Sequence, residues 1–272
     1  ELLRTALDRV PDHGGALALL GRMKYDQARY REAAALLRRA LEANPRDPDR
    51  WRRAASAQLR ADSLSRAVRT AEEGLLLFPG QVPLLRIRGE AHLRRNEPAA
   101  ARTRFEEALS DVDGAEVSSR EHAALHVGRG RALEQTAVLD SAAAAYEAAL
   151  QVDPEHRPAR THLARVLARQ EEQLDRALRL ARRAVDQGPA TPETLGTLGW
   201  VLSARGDYPD AASAFERALA AGDAAAWVYE QYGDVQRALG NDALARQYWK
   251  QALERTNDPA SLRQKLRSGA QS

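Results

Sequence analysis

The chain has 272 residues, a formal net charge of +3 and no cysteine. The lack of cysteine excludes disulfide bonds, thiolate nucleophiles and cysteine-based zinc sites. No run of about 18 or more apolar residues occurs, so a transmembrane helix is not expected. Hydrophobic residues make up 44% of the chain but aromatic residues only 5%. This composition predicts a core built mainly from alanine and leucine, and it excludes no class of macromolecular partner.

One dipeptide recurs along the chain, because Ala-Leu or a close substitute stands at eight places. They are Ala6-Leu7, Ala40-Leu41, Gly74-Leu75, Ala108-Leu109, Ala149-Leu150, Ala184-Val185, Ala218-Leu219 and Ala252-Leu253. The intervals are 34 residues, except for one of 41 and one of 35 in the middle of the chain. A fixed period of this length is typical of repeat proteins, in which each repeat is one supersecondary unit.

Other positions keep the same register. A first series of small residues comprises Gly21, Ala55, Gly89, Gly130, Ala164, Gly199 and Gly233, and a second comprises Ala33, Ala67, Ala101, Ala142, Ala177, Ala211 and Ala245. Four residues after the second series come Leu37, Ala71, Phe105, Tyr146, Ala181, Phe215 and Trp249. Small residues let two helix axes approach closely, and a larger side chain one turn later fills the space beside them. The pattern therefore predicts pairs of packed helices.

In chain order, residues 1–13 are predicted to form the second helix of a truncated repeat. Because the chain starts at Glu1 and this repeat lacks a first helix, we expect the chain to be a piece of a longer protein. Seven full repeats follow, at 14–47, 48–81, 82–115, 116–156, 157–191, 192–225 and 226–259. Proline near the ends of several repeats, as at Pro45 and Pro79, stops one helix before the next begins.

Two irregularities interrupt the period. One extra residue lies near Gln170–Gln173, where a turn could absorb it, and about seven lie around Glu116–His122. Ser118 and Glu121 have the spacing of a capping box, which predicts that the first helix of repeat 116–156 starts early and is one to two turns longer than the others. The insertion is a lip over the groove, a change in the pitch of the superhelix or a neutral loop insertion.

The C-terminal segment 260–272 is predicted to be a short capping helix and tail. Leu262 and Leu266 are four residues apart and suit a helix that covers the apolar end of the last repeat. Arg263, Lys265 and Arg267 allow a second interpretation, in which the tail is a basic interaction segment.

The motifs resemble those of the tetratricopeptide repeat (TPR) family, a 34-residue helix-turn-helix with the pattern W-x2-L-G-x2-Y, A-x3-F and P. The repeat from Thr194 to Ala218 carries the pattern in Gly199, Tyr208, Ala211 and Phe215. The resemblance covers about residues 1–258. It implies an all-α fold, an α-solenoid of antiparallel helix pairs wound into a right-handed superhelix, and a non-catalytic protein-interaction scaffold.

By this resemblance, the fifth and ninth residues of each first helix line a concave groove. Those positions hold Ala18, Arg22, Arg52, Ser56, Arg86, Glu90, Val127, Arg131, Thr161, Arg165, Gly196, Trp200, Glu230 and Asp234. The predicted partner-binding residues are Arg22, Arg52, Arg86, Arg131, Arg165, Trp200 and Trp227. Arginine attracts acidic segments through its field and through bidentate bonds to carboxylates. The alternative is a solvated arginine-rich face.

The last two repeats differ from the others, because Trp200 and Trp227 stand near Glu230 and Asp234. An aromatic and acidic surface could hold an apolar or basic segment, since tryptophan is enriched at binding hot spots. The indoles could equally pack between neighbouring repeats.

No motif for catalysis, phosphate binding or a dinucleotide is present, and His122 and His126 lack a third metal ligand. We therefore expect a scaffold that is not an enzyme and needs no cofactor or metal, and that binds a protein or peptide, with an acidic segment as one candidate. The alternatives are an accessory domain of a larger bacterial enzyme or envelope machine and, less favoured, nucleic-acid binding through the arginine-rich half. The sequence leaves the compartment, cytoplasmic or periplasmic, and the oligomeric state open.

Overall fold

A computed structural model describes residues 2–112, 117–256 and 258–268. All regular elements in these ranges are helices: α1 (Leu2–Arg9), α2 (Gly14–Asp26), α3 (Tyr30–Ala43), α4 (Pro48–Arg60), α5 (Leu64–Leu77), α6 (Val82–Arg94), α7 (Pro98–Ser110), α8 (Ser119–Gln135), α9 (Leu139–Val152), α10 (Arg157–Gln170), α11 (Leu174–Asp186), α12 (Pro192–Ala204), α13 (Tyr208–Ala220), α14 (Ala226–Ala238), α15 (Asp242–Leu253) and α16 (Ala260–Ser268). The chain divides into two compact units, 1–141 and 142–272.

Helices that are adjacent in sequence form the main packing contacts in each unit, as in the pairs α2–α3 and α6–α7 of the first unit and α12–α13 and α14–α15 of the second. Each predicted span from 14–47 to 226–259 contains two helices within its described part. The all-α fold of paired helices predicted from the sequence is confirmed. We call the two members of each pair the first helix and the second helix.

The turn inside each pair has one recurring geometry. A residue with a left-handed backbone follows every first helix, and these residues are Ala28, Asp62, Asn96, Ala137, Glu171, Gly206 and Gly240, with φ between 55° and 83°. The next residue donates its backbone N–H to a carbonyl five residues back, as in Asp207 to Leu202 at 2.9 Å and Asn241 to Gln236 at 2.8 Å. This is the Schellman arrangement, which satisfies the orphan carbonyls at a helix end.

The two irregularities of the period are absorbed by local structure. The extra residue of repeat 157–191 lies in its turn, where Gln173 adds a second left-handed residue after Glu171. Helix α8 has 17 residues, whereas the other first helices have 13 or 14. The prediction that this helix starts early and is about one turn longer is confirmed. The part of the predicted insertion before Val117 lies outside the described residues.

The small residues of the first series hold the helices of a pair close together. A Cβ atom added to Gly89 would lie 2.8 Å from the Phe105 ring, and one added to Gly199 would lie 2.9 Å from the Phe215 ring. Gly233 has the same relation to Trp249, at 2.5 Å. The pairs in which the first member is alanine, Ala55 with Ala71 and Ala164 with Ala181, also have alanine in place of the large residue. The two positions therefore compensate in volume.

The first unit contains two hydrophobic clusters, one centred on Leu37, Trp51 and Ala71 and the other on Phe105 and Leu125. In the second unit, Trp249 and Leu262 belong to a cluster at the C-terminal end, where Leu262 is 1% exposed. This packing agrees with the capping interpretation of helix α16. Among the described residues, no helix is long and apolar enough to cross a membrane.

The turn residues give a first prediction. Alanine pays a steric cost in the left-handed region that glycine avoids, so Ala137→Gly is expected to stabilise the fold by about 0.5–1 kcal/mol, and Gly240→Ala to destabilise it by about 1 kcal/mol. Urea unfolding of both variants measures these changes. No atom lies within 4 Å of a Cβ added to Gly240, so a loss there reports backbone conformation alone. An unchanged midpoint in both variants would contradict the assignment.

A second prediction concerns Gly199. Helix propensity alone would make Gly199→Ala about 1 kcal/mol more stable, but the clash with Phe215 is expected to make it about 1–3 kcal/mol less stable. The variant Gly199→Ala/Phe215→Leu should recover part of that loss, because the smaller side chain leaves room for the methyl group. Equilibrium unfolding of the two single variants and the double variant decides the sign. Additive effects of the two substitutions would count against direct packing.

Candidate functional site

The predicted groove positions lie on the first helices, and the structure divides them by burial. Val127, Thr161 and Gly196 are buried, so they serve packing. The other eleven positions are half-buried or exposed, and all the predicted arginines and both predicted tryptophans belong to residues with some exposed surface. The two units are described separately below.

In the first unit, a pocket between α2 and α4 brings Arg22 and Arg52 together. It is lined by Arg22, Tyr25, Leu37, Arg52, Arg53 and Ser56. Leu37 is buried and supplies an apolar floor, whereas the Arg22 side chain is 63% exposed. The pocket therefore combines three guanidinium groups with an apolar base and an aromatic ring.

The acids near this pocket are fewer than its arginines. Asp49 is shared, because both Arg52 and Arg53 bond to its carboxylate. Burial works to raise the pKa of Asp49, but the hydrogen bonds from the two arginines outweigh it and lower the pKa. Arg22 lies 4.0 Å from Asp26, which is a weak pair between exposed groups. The three arginines against two carboxylates leave this pocket positively charged.

Tyr25 is a pocket residue that the sequence reasoning missed. Its hydroxyl lies 3.2 Å from Ser56 Oγ across the pocket, and its ring meets that of Tyr30 edge-on at 5.2 Å between centroids. Tyr25 stands in the last turn of α2, four residues beyond Gly21 and outside the fifth and ninth positions. Its spacing of three from Arg22 is the signal that could have placed it on the same face.

Arg86 and Arg131 have a different environment, because each forms an ion pair between first helices. Arg86 Nε donates to Glu121 Oε1 at 2.5 Å, and Arg131 Nη1 contacts both Glu90 oxygens at 2.8 and 2.9 Å. These pairs tie α6 to α8. Each half-exposed pair contributes about 1 kcal/mol or less to stability. The carboxylates of Glu121 and Glu90 also neutralise the positive charge of Arg86 and Arg131, which were predicted from the sequence to attract a partner.

The first turn of α8 forms one wall of a cleft of about 980 Å³. Ser118 and Glu121 line this cleft together with residues 79–81 before α6 and with Arg52 and Arg86. Ser118 Oγ accepts from the Glu121 amide at 3.2 Å, but the Glu121 carboxylate binds Arg86 instead of closing the capping box. The N-terminal turn of α8 therefore lines a cleft that contains two of the predicted arginines.

In the second unit, Arg165 is mostly packed. Its side chain is 13% exposed, and it lies 2.8 Å from His162 Nδ1 and 3.4 Å from Glu193 Oε1. Its guanidinium also stands over the Trp227 ring, 5.5 Å from the centroid, a cation–π contact. Arg165 thus links α10 to α12 and α14.

The structure separates the roles of the two tryptophans. Their ring centroids are 5.6 Å apart, so they form one aromatic pair. Trp227 packs over Gly196, where an added Cβ would lie 3.0 Å from the indole. Trp200 lines a surface cleft with Arg169, Tyr208 and Gln231, among others. Trp227 therefore packs between helices, whereas Trp200 presents aromatic surface to this cleft.

The acidic groove residues of the last repeat already bind a basic residue of this chain. Lys265 Nζ of α16 lies 2.8 Å from Glu230 Oε1 and 2.6 Å from Asp234 Oδ2. Trp249 Nε1 donates to the other Asp234 oxygen at 3.0 Å. Burial raises the pKa of Asp234 despite these bonds. Helix α16 thus supplies both an apolar contact through Leu262 and a charge partner.

His122 and His126 stack on one face of α8, with ring centroids 5.1 Å apart. Among the described residues, no group of three or more potential ligands could hold a metal ion. Burial lowers the pKa of His126 to about 4, and the nearby Arg129 and His122 charges add to the effect. The His126 imidazole is therefore neutral at pH 7.

The fold and the exposed first-helix surfaces define a helical-repeat protein of the class that binds other macromolecules. Three family models described as tetratricopeptide repeat match residues 1–59, 24–88, 88–136, 157–224 and 197–261. The chain belongs to the tetratricopeptide repeat family. The family is one of protein-interaction modules. A search of curated proteins found no match.

Solved structures show the same fold. A tetratricopeptide repeat protein from Parabacteroides merdae is 16% identical with a TM-score of 0.69, and the match covers 94% of this chain and 98% of that one. A chain of the APC/C hetero-tetramer Cut9–Hcn1 is 13% identical with a TM-score of 0.76, and the match covers 98% of this chain and 51% of that one. Pseudomonas aeruginosa pilF is 18% identical with a TM-score of 0.66, and the match covers 83% of this chain and 97% of that one. At these identities the similarity concerns the fold alone.

The neutral His126 gives a prediction for pH. In the unfolded chain His126 binds a proton near pH 6.5, whereas in the folded chain it does so only near pH 4. The unfolded state therefore gains a proton first as the pH falls from 6.5 toward 4, which lowers the free energy of unfolding over that range. Above pH 6.5 this group has a constant effect. We expect the free energy of unfolding of His126→Leu, relative to that of the parent chain, to be higher at about pH 4.5 than at about pH 7.5. Urea unfolding at the two pH values measures this difference. His122→Leu, the matched control, should largely keep the parent's dependence. A stability difference between His126→Leu and the parent that does not vary with pH would contradict the assignment.

Proposed function

We propose that this chain is a non-catalytic scaffold that binds a segment of a partner protein on the first-helix face and so helps to assemble a complex. The observation that supports this most strongly is the pocket of Arg22, Tyr25 and Arg52. It lies on the face that the family resemblance assigns to partner binding, and it has positive charge above the apolar floor of Leu37.

The chemistry of the pocket favours a particular kind of segment. A carboxylate can accept charge-assisted bonds from the Arg22 and Arg52 guanidinium groups, and an apolar side chain beside it can lie on Leu37 and the Tyr25 ring. The helices hold these groups at fixed spacing before a partner arrives, which lowers the ordering cost of binding. An extended acidic segment with interspersed apolar residues fits this arrangement best.

The predicted binding residues do not all contribute equally in this proposal. Arg22 and Arg52 contact the segment, and Trp200 offers a second, aromatic contact in the other unit. Arg86, Arg131, Arg165 and Trp227 position neighbouring helices through the contacts described above. An accessory domain of a larger bacterial enzyme or envelope machine would use the same surface, so that alternative differs in context and not in mechanism.

Nucleic-acid binding by this face is less well supported. Each predicted groove arginine has a carboxylate within 4.0 Å, which reduces the free positive charge that a phosphate backbone requires. A steep fall of affinity for single-stranded nucleic acid with rising salt would revive this function.

Affinity capture from the source cell tests the proposal. The bait Arg22→Ala/Arg52→Ala is expected to lose about tenfold or more of a partner that the parent bait captures, and mass spectrometry of cross-linked peptides should place an acidic segment in the pocket. Arg69→Ala/Arg102→Ala is the matched control, because it removes the same charge from exposed sites on second helices. Equal loss in both double variants would assign binding to net charge, and no loss in either would exclude the pocket.

A further inference from the structure

The second helices of the first unit form another pocket, away from the first-helix face. It has a volume of about 330 Å³ and lies between α3 and α5. Its polar lining consists of Arg31, Arg38, Gln58, Ser63 and Arg66, and its apolar lining consists of alanine. Nothing in the function proposed above uses this pocket.

The arginines here differ from those of the first-helix face. Arg31 and Arg66 are exposed, and within residues 2–112, 117–256 and 258–268 neither has an acidic partner. Arg38 Nε contacts Glu42 at 3.0 Å, and both of these side chains are more than half exposed. Three guanidinium groups against one carboxylate give the pocket a positive field.

A buried polar atom in the same pocket has no partner. Gln58 is 3% exposed, and its Oε1 atom makes no hydrogen bond within the described part of the chain. Leaving such a group unsatisfied is unfavourable, so a ligand that brings an N–H or O–H donor would be stabilised by it. The pocket therefore has guanidinium donors at exposed positions, and one of its lining residues carries a buried acceptor without a partner.

The start of α5 adds further donors. Ser63 is the N-cap residue, but its side chain makes no capping hydrogen bond. The first amides of a helix have no partner within the helix, and they attract anions together with the positive end of the helix dipole. Ser63 and Arg66, which lies in the first turn of α5, both line the pocket.

We propose that this pocket binds a phosphorylated serine or threonine of a partner peptide. A phosphate monoester carries about two negative charges and three acceptor oxygens, which match the guanidinium groups of Arg31, Arg38 and Arg66. A backbone N–H of the same peptide would donate to Gln58 Oε1 once the Gln58 side chain turns toward the pocket, a rotation that breaks no hydrogen bond of this oxygen. The pocket has no aromatic lining on which bases could stack, so single-stranded nucleic acid fits it less well.

The test uses the whole chain, labelled with ¹⁵N, and the probe N-acetyl-Gly-phosphoserine-Gly-amide. The probe is expected to shift the backbone amides of residues 63–66 in a saturable way, whereas the unphosphorylated peptide leaves them unchanged. Arg31→Ala and Arg66→Ala should each weaken binding about tenfold. Gln58→Met should weaken binding of the phosphopeptide but not of inorganic phosphate. Arg102→Ala, at an exposed site on α7 outside both pockets, should have no effect on either.

Several outcomes would overturn the proposal. One is equal binding of the two peptides. Another is a loss of binding in Arg102→Ala as large as that in Arg66→Ala. A third is the absence of any loss in Arg31→Ala and Arg66→Ala. Phosphatidylserine vesicles and oligothymidylate form two further arms. Binding to either that exceeds phosphopeptide binding and requires Arg31 and Arg66 would assign the site to a membrane or to nucleic acid. Because Arg31 and Arg66 are exposed, circular dichroism should show that both variants remain folded.

Discussion

The close approach of the two helices in each pair is the constraint on which the other features depend. Gly89, Gly199 and Gly233 leave no room for even a methyl group against the aromatic rings of Phe105, Phe215 and Trp249. Interiors packed this tightly transmit a change of one carbon atom to their neighbours. Where glycine is replaced by alanine, as at Ala55, the facing residue is alanine too. The distance between the two helices of a pair follows from the combined volume of these two facing residues. That distance in turn places the side chains of the first helices.

The periodicity was sufficient to predict the helices, because the signals that determine them are local. Small residues, helix-ending prolines and capping groups such as Ser118 act within a few residues of their own positions. The early start of α8 and the turn at Glu171–Gln173 could be inferred for the same reason. The sequence register therefore contained most of the information about secondary structure.

The candidate site was predicted less completely, because its chemistry depends on residues from different repeats. Arg131 is 41 residues from Glu90, and Arg86 is 35 residues from Glu121. Their pairing becomes visible only when the helices are stacked. Lys265 reaches Glu230 in the same manner. The position of each charge follows from the repeat register, but its partner does not. A face that looked basic therefore contains several compensated pairs, whereas Arg31 and Arg66 on the second helices lack an acidic partner among the described residues.

The distribution of left-handed turn residues has a consequence for the stability of the individual repeats. In an array of repeats, stability is the sum of what each repeat contributes and what neighbours add. In the last two full repeats glycine occupies the left-handed turn position, at Gly206 and Gly240, and therefore avoids the steric strain of a side chain there. These repeats also bury the large rings of Phe215 and Trp249. Five earlier turns place a residue with a side chain in the same strained conformation. The turns of the last two full repeats are therefore less strained than the five earlier ones, so the repeats differ in what each contributes to the stability of the array.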